Sequence, residues 1–273
     1  MRLGELARGA GAVLEGNADV EVAGIAYDSR RVGPGDLFVA VAGLHVDGHH
    51  YLADAIAKGA VAVAIERSVP LPEGVPVVRM PSTRIGLAEL SAEFYGRPSH
   101  RLKLAGITGT DGKTTVTHMA EHVLQASGVV AGAMSTVAFK VSGREVDNVT
   151  GQTTTEAPEV QGWLARMVEA GAECAVIEAT SHALVQERVR ACEFDVAAFT
   201  NIGHDHLDYH ASWDEYVEAK ARLIDLTARS PDKGIEKTAV LNRDDKSYER
   251  LVRRPIARRW TYGLTTAADL HPL

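Results

Sequence analysis

Apolar residues recur along the chain in two periods, one near two and one near 3.6, and their alternation sets the expected elements. Asp36-Leu37-Phe38-Val39-Ala40-Val41 reads as a strand, introduced by the turn Gly33-Pro34-Gly35. Residues 51–58 read as a short helix closed by Gly59, 61–65 as a buried strand, and 75–80 as another strand. Ile85, Leu87, Ala88, Leu90 and Phe94 then fall at helical spacing. Gly96-Arg97-Pro98-Ser99 interrupts the pattern and sets a domain boundary, giving domains 1–98 and 99–273.

Beyond the boundary the pattern is strand, loop, helix, repeated. Residues 102–107 read as a strand. Residues 114–126 read as a helix with Val116, Met119, Ala120, Val123 and Leu124 on its buried face. A strand is expected at 133–136 and a hairpin at 139–146, turning at Ser142-Gly143. The helix at 158–170 should bury Val160, Trp163, Leu164, Met167 and Val168 and stop at Gly171. Strands follow at 174–179, 196–200 and 238–241. Between the last two, Ser212 and Glu215 form a capping box for a helix over 213–226. The fold class is therefore α/β: an N-terminal α/β domain, then a phosphate-loop-type domain with a mostly parallel sheet. Ligands of such sheets bind at the C-terminal ends of the strands.

Composition changes this picture little. Hydrophobic residues make up 45% of the chain, enough for two cores, and the net charge of −7 argues against wholesale nucleic-acid binding. The one basic run, Arg250, Arg253, Arg254, Arg258 and Arg259, reads as a solvated helix face. Two cysteines, Cys174 and Cys192, form no disulfide framework and fit a reducing cytoplasm. No stretch approaches the ~18 apolar residues of a membrane span, so a cytoplasmic protein is expected.

The chemistry concentrates in Gly106-Ile107-Thr108-Gly109-Thr110-Asp111-Gly112-Lys113-Thr114-Thr115, which joins a strand directly to a helix. Glycines let backbone N–H groups curl around phosphate oxygens, and the helix N-terminus adds its positive dipole end. Lys113 is placed to bridge β- and γ-phosphates, and Thr114 to put a hydroxyl on Mg²⁺. The strict pattern requires glycine at position 107, where this chain has Ile107. His204, His206 and His210, interleaved with Asp205 and Asp208, suit a transition metal as well as Mg²⁺ by spacing alone; the phosphate loop favours Mg²⁺.

At these residues the chain resembles the Mur ligases. The first-domain resemblance lies in Asp28-Ser29-Arg30, Gly35-Asp36-Leu37-Phe38-Val39-Ala40 and Asp47-Gly48-His49. In the second it lies in Thr153-Thr154, in Glu178-Ala179-Thr180-Ser181-His182-Ala183-Leu184, and in Phe199-Thr200-Asn201. Asp205-His206-Leu207-Asp208-Tyr209-His210, with Tyr216 and Ala219-Lys220, points to the MurE-type branch that adds the third amino acid of the cell-wall peptide. The resemblance implies an ATP-dependent amide ligase. It would join meso-diaminopimelate or L-lysine to UDP-MurNAc-L-Ala-D-Glu through an acyl phosphate.

The resemblance also implies roles. ATP would be held by Gly109, Thr110, Asp111, Gly112, Lys113, Thr114 and Thr115, with Asn242 near the adenine. Two Mg²⁺ ions would be held by Thr114, Glu178, His206 and Lys220, the lysine carbamylated; Lys113, His206 and Lys220 would carry the catalysis. Ser29, Leu44, His45 and Val46 would hold the uridine diphosphate. Thr153, Thr154, Thr180, Gln186 and Arg188 would hold the muramoyl and pyrophosphate part. Each has a blander alternative on its own residues: a solvated helix lysine for Lys220, a surface arginine for Arg188, an Asn-Asp turn for Asn242.

The sequence departs from the family at Asp111 (usually Asn), Thr180 (usually Ser), Thr155 (usually Pro or Gly) and Met134-Ser135-Thr136, which lacks a Gly-Thr ending. It ends inside what would be the ATPase domain, so the amino-acid-binding domain is expected to be missing and the chain to be truncated. Two alternatives remain at this point. One is a non-catalytic protein that keeps the UDP-sugar and ATP sites; the other is a related folylpolyglutamate or cyanophycin synthetase, against which Asp28-Ser29-Arg30 argues.

Overall fold

Ala62-Val63-Ala64-Ile65, each fully buried, form the strand on which the N-terminal half is built. The computed structural model describes residues 1–43, 46–203, 209–265 and 267–272, and the chain divides into two units, Met1–Arg97 and Pro98–Leu273. In the first unit the elements run α1 (Leu3–Gly9), β1 (Val13–Glu15), β2 (Gly24–Ala26), β3 (Asp36–Val39), α2 (Leu52–Ala57), β4 (Ala62–Ile65), β5 (Val77–Arg79) and α3 (Thr83–Phe94). Their sheet has the order β1-β5-β4-β3-β2, parallel except where β1 pairs with β5. The helix expected at 51–58 begins as a 3-10 turn, Gly48–Tyr51, capped by Asp47, which accepts hydrogen bonds from His49 N (2.9 Å) and Nδ1 (2.7 Å). Ser82 caps α3 by accepting from Ile85 N.

The second unit carries β6 (Lys103–Thr108), α4 (Lys113–Ala126), β7 (Ala131–Met134), β8 (Ala138–Val141), β9 (Arg144–Asp147), α5 (Ala157–Glu169), β10 (Cys174–Glu178) and α6 (Ser181–Val185). Then come β11 (Val196–Phe199), α7 (Trp213–Arg229), β12 (Thr238–Asn242), α8 (Tyr248–Leu251) and β13 (Arg258–Tyr262). The sheet order is β13-β12-β11-β6-β10-β7-β8-β9, parallel from β13 to β7. The chain leaves central β6 for β7 on one side, fills the gap with β10, then crosses to β11 on the other. This reversal around β6 is a topological switch point, the place where open α/β sheets bind ligands.

The hairpin turns at Ser142 (φ 47°) and Gly143 (φ 77°), the left-handed pair of a type I′ turn. In α7 the capping box is offset by one residue: Ser212 accepts from Glu215 N, and the Glu215 carboxylate accepts from Ala211 N at 3.0 Å.

The apolar stripe expected to bury α4 is not its most buried face: Met119 and Val123 are 62% and 65% exposed and Val116, Ala120 and Leu124 half-buried, while Thr117 and Glu121 face the interior. The phosphate loop sets the rotational phase of this helix at its first turn, so the loop decides which face meets the strands. Glu121 is buried with Gln125 as its hydrogen-bond donor and Lys140 3.7 Å away, and the helix packs on β7, a strand of small residues. The basic run is also not one helix face. Arg250 lies in α8 and pairs with Asp214, Arg254 reaches Glu218 and Asp225, and Arg258 and Arg259 lie in β13.

Beneath the sheet, Asp195 is 1% exposed and accepts from Lys237 Nζ (2.6 Å) and Leu104 N (2.8 Å), with Lys233 Nζ at 2.7 Å. Lys233 also donates to the carbonyls of Ser99, Leu102 and Glu193. Removing one partner of such a buried group strands the others, so Asp195→Ala should cost about 3–5 kcal/mol in urea unfolding. A loss below about 1 kcal/mol would show the cluster to be dispensable. Cys192 is buried in the core of this unit, and burial pushes its thiol up to about 12. The unfolded chain releases that proton near pH 9 while the folded one keeps it, so the stability it confers is whole below pH 9 and is lost as pH rises toward 12. Unfolding free energies should therefore show the advantage of the parent over Cys192→Ala shrinking above pH 9; a gap independent of pH would contradict the assignment.

Candidate nucleotide and metal site

Three loops meet at the switch point because register places their strands side by side. Glu178 pairs with Ile107 and Phe199 with Thr108, so β10 and β11 end on either side of the loop that leaves β6. The absent glycine at position 107 is explained here. Ile107 is still inside β6 and 3% exposed, and the chain turns one residue after β6 ends, at Gly109 (φ 152°). A Cβ on Gly109 would lie 1.8 Å from Thr200 Oγ1, so only glycine fits. Gly112 (φ 78°) is the N-cap of α4 and brings Lys113 into its first turn.

The loop is held from the β11 side. Thr110 N donates to Asn201 O (2.7 Å) and Asp111 N to Asn201 Oδ1 (3.1 Å), while Thr200 Oγ1 and Asn201 Nδ2 donate to Asp111 O. Thr110 Oγ1 accepts from Gly203 N and lies 3.2 Å from Tyr216 Oη. Two lysines converge on one carbonyl: Lys113 Nζ donates to Gly109 O at 3.0 Å, and Lys220 Nζ to the same oxygen at 2.7 Å. Lys220 is 1% exposed, and its Nζ sits 4.5 Å over the Tyr216 ring, so it is buried at the loop and is not a solvated helix lysine.

On the β10 side Glu178 is 1% exposed. Its Oε1 accepts from Thr136 N at 2.9 Å and its Oε2 from Thr136 Oγ1 at 3.1 Å. Thr114 Oγ1 is 3.5 Å from the same Thr136 hydroxyl. Among the described residues no lysine or arginine pairs with this carboxylate. A buried carboxylate without a cation costs several kcal/mol, more than two neutral donors return. Glu178 and Thr114 are hard oxygen donors beside a phosphate-type loop, which suits a divalent cation such as Mg²⁺.

The other expected residues divide. Thr154 Oγ1 donates to Glu178 O (2.8 Å) and accepts from Thr180 N, and Thr180 caps α6 through Ala183 N. Arg188 joins this group: Nη1 donates to Thr154 O (2.8 Å), Nη2 to Gln186 Oε1 (2.7 Å), and Nε lies 2.9 Å from Glu156 Oε1. Thr153 is the half-buried neighbour of Thr154. Thr115 is exposed on the first turn of α4. Asn242 makes the turn that is its blander alternative, its Oδ1 accepting from Asp244 N, while its Nδ2 donates to Thr200 O at 2.9 Å. Ser29 and Val46 belong to the first unit, where the Ser29 carbonyl accepts from Lys58 Nζ and the Val46 carbonyl from Gly43 N. Leu44, His45, His204, Asp205, His206 and Asp208 lie outside the described residues. Among those described, no group of three or more His, Cys, Asp or Glu is placed to hold a metal.

Sequence reasoning missed Thr136, Thr200 and Asn201 as members of the site. Each is a polar residue just past the C-terminal end of an apolar strand, which is the signal that would have found them.

Residues 107–272 match the family described as the Mur ligase middle domain, and residues 21–95 that described as Mur ligase family, catalytic domain. A UDP-N-acetylmuramyl-tripeptide synthetase of Roseiflexus sp. (strain RS-1) is 45% identical over 261 residues, which is 92% of this chain and 51% of that protein. A UDP-N-acetylmuramoyl-L-alanyl-D-glutamate–2,6-diaminopimelate ligase of Geobacillus thermodenitrificans is 43% identical over 258 residues, 93% of this chain and 51% of that one. The chain thus spans about half the length of the curated relatives it matches. Among solved structures, a UDP-N-acetylmuramoyl-L-alanyl-D-glutamate–2,6-diaminopimelate ligase superposes with a TM-score of 0.79 at 25% identity, covering 98% of this chain and 54% of that one. A MurF ligase of Thermotoga maritima in complex with ADP gives 0.59 at 22% identity, covering 90% and 51%, a likeness of fold.

The loop geometry makes its own demand. Gly109→Ala forces the new methyl into Thr200 Oγ1, and overpacking of this kind costs about 1–3 kcal/mol. Chemical unfolding should show that loss, and Thr200→Gly in the same chain should recover part of it. A Gly109→Ala chain as stable as the parent would contradict the described turn.

Proposed function

This chain belongs to the Mur ligase family, and on that premise we propose that its second unit binds Mg-ATP in the service of a peptidoglycan-precursor ligase. The reaction is the addition of a third amino acid, meso-diaminopimelate or L-lysine, to UDP-MurNAc-L-Ala-D-Glu. ATP phosphorylates the glutamyl carboxylate, and the incoming amine displaces phosphate from the acyl phosphate.

Phosphoryl transfer of this kind needs alignment and charge neutralisation more than covalent help. Backbone N–H groups between Gly109 and Thr115 take the phosphate oxygens. Lys113 swings from the Gly109 and Thr110 carbonyls to the β- and γ-phosphates. Thr114 and Glu178 would hold one Mg²⁺, which would supply charge neutralisation at the transferring phosphoryl group. In the family a second ion depends on His206 and on carbamylated Lys220. By family resemblance, Thr153, Thr154, Thr180, Gln186 and Arg188 would contact the muramoyl and pyrophosphate part of the substrate, and Ser29, Leu44, His45 and Val46 the uridine diphosphate. Asn242 serves the adenine.

The observation that carries this reading is the buried Glu178 carboxylate, with no basic side chain against it among the described residues, linked through Thr136 to the hydroxyl of the loop's Thr114. Lys113→Ala removes one charge-assisted contact to phosphate, worth about 1.5–3 kcal/mol, so ATP affinity in magnesium should fall roughly 10- to 100-fold by calorimetric titration. Unchanged affinity would remove the loop from nucleotide binding and the proposal with it.

A further inference from the structure

We infer that Thr136 is the positioning residue of the metal site, the group that fixes the direction in which Glu178 presents its carboxylate. The inference rests on the reading of Glu178 and Thr114 as magnesium ligands. Its observations are of Thr136 itself.

Among the described residues, one residue supplies both donors to the Glu178 side chain. The Thr136 N–H takes Oε1 and the Thr136 hydroxyl takes Oε2, at 2.9 and 3.1 Å. Two donors from one residue, one on each oxygen, fix the carboxylate plane as well as its position. A single donor would leave the terminal torsion free, because sp³–sp² torsions of this kind are broad. Since the Thr136 hydroxyl spends its only proton on Glu178, it meets Thr114 as an acceptor. The Thr114 proton is thereby directed at Thr136, and the Thr114 lone pairs are left to face away from it. Both oxygen donors of the proposed ion are oriented by the same hydroxyl.

Thr136 is in turn held rigidly, although it lies in a turn between β7 and β8. Its neighbour Ser135 is fully buried, and the Ser135 hydroxyl accepts from Val137 N and Ala138 N and lies 2.9 Å from His118 Nε2 on α4. Asn148 Nδ2 donates to the Ser135 carbonyl at 2.9 Å. The turn is therefore tied to the helix that carries Thr114, so Thr114, Thr136 and Glu178 keep their mutual distances. Groups that orient metal ligands in this way are worth about 10- to 100-fold in metal affinity.

The test compares ATP binding by the full chain in magnesium and in chelator, using Thr136→Val, which keeps shape and N–H but loses the hydroxyl, and Thr136→Ser, which keeps the hydroxyl. In Thr136→Val the gain in ATP affinity on adding magnesium should drop about 10-fold. Affinity in chelator should stay within about twofold of the parent, and Thr136→Ser should retain most of the gain. The inference is overturned if Thr136→Val keeps the full magnesium gain. It is equally overturned if Thr136→Val loses affinity equally with and without magnesium, or if Thr136→Ser behaves as Thr136→Val does. A parent chain that binds no ATP in either condition would instead overturn the functional reading beneath it, and one that binds ATP without a magnesium gain would overturn the reading of Glu178 and Thr114 as magnesium ligands and the inference with it.

Discussion

A carboxylate buried beside a phosphate-type loop is the constraint around which the second unit is arranged. Glu178 stands at the last position of β10, level with Ile107 on β6, and no solvent relieves its charge. Neutral donors from Thr136 satisfy its hydrogen bonding but not its electrostatics, and in a low-dielectric interior the electrostatics dominate. The rest of the site supplies what that charge calls for: a helix N-terminus, a threonine hydroxyl from its first turn, and two lysines within reach of the loop carbonyls. On the proposed reading, an arrangement that is costly alone would become favourable with a divalent cation and a polyphosphate between its parts.

The sheet topology is what makes this convergence possible. Only at a reversal of strand order do loops from three strands open onto one crevice, and here those strands are β6, β10 and β11. The β11 loop, Thr200 and Asn201, holds the phosphate loop by its carbonyls and amides. The β10 end supplies Glu178. The cluster around Asp195, with Lys237 and Leu104 N, ties together the opposite ends of β6, β11 and β12, so the loops project from a sheet fixed at its other end.

Much of this was legible in the sequence, for physical reasons that differ by element. Buried parallel strands such as 62–65 and 174–178 announce themselves as short apolar runs, and Ser142-Gly143 fixes a hairpin because both residues take positive φ. Short edge elements did not announce themselves. Strands β1 and β2 span three residues each, and β13 hides in a basic run because its exposed positions carry arginine. The phase of α4 was unreadable from its apolar stripe, since the loop at Gly109 and Gly112 sets it. Of the candidate site, Lys113 and Thr114 were legible from the loop motif, and Glu178 from the family resemblance. Thr136 was not, because its importance lies in a 42-residue separation from Glu178 that only the pairing of β7 with β10 closes.

The central claim is that Glu178 and the loop together hold a metal–nucleotide complex. The measurement that tests it most directly is electron paramagnetic resonance of Mn²⁺, standing in for Mg²⁺, titrated with ATP into the parent chain and into Glu178→Gln. The account predicts a protein-bound Mn²⁺–ATP signal in the parent that is lost in Glu178→Gln. An equally strong bound signal in both chains would contradict it.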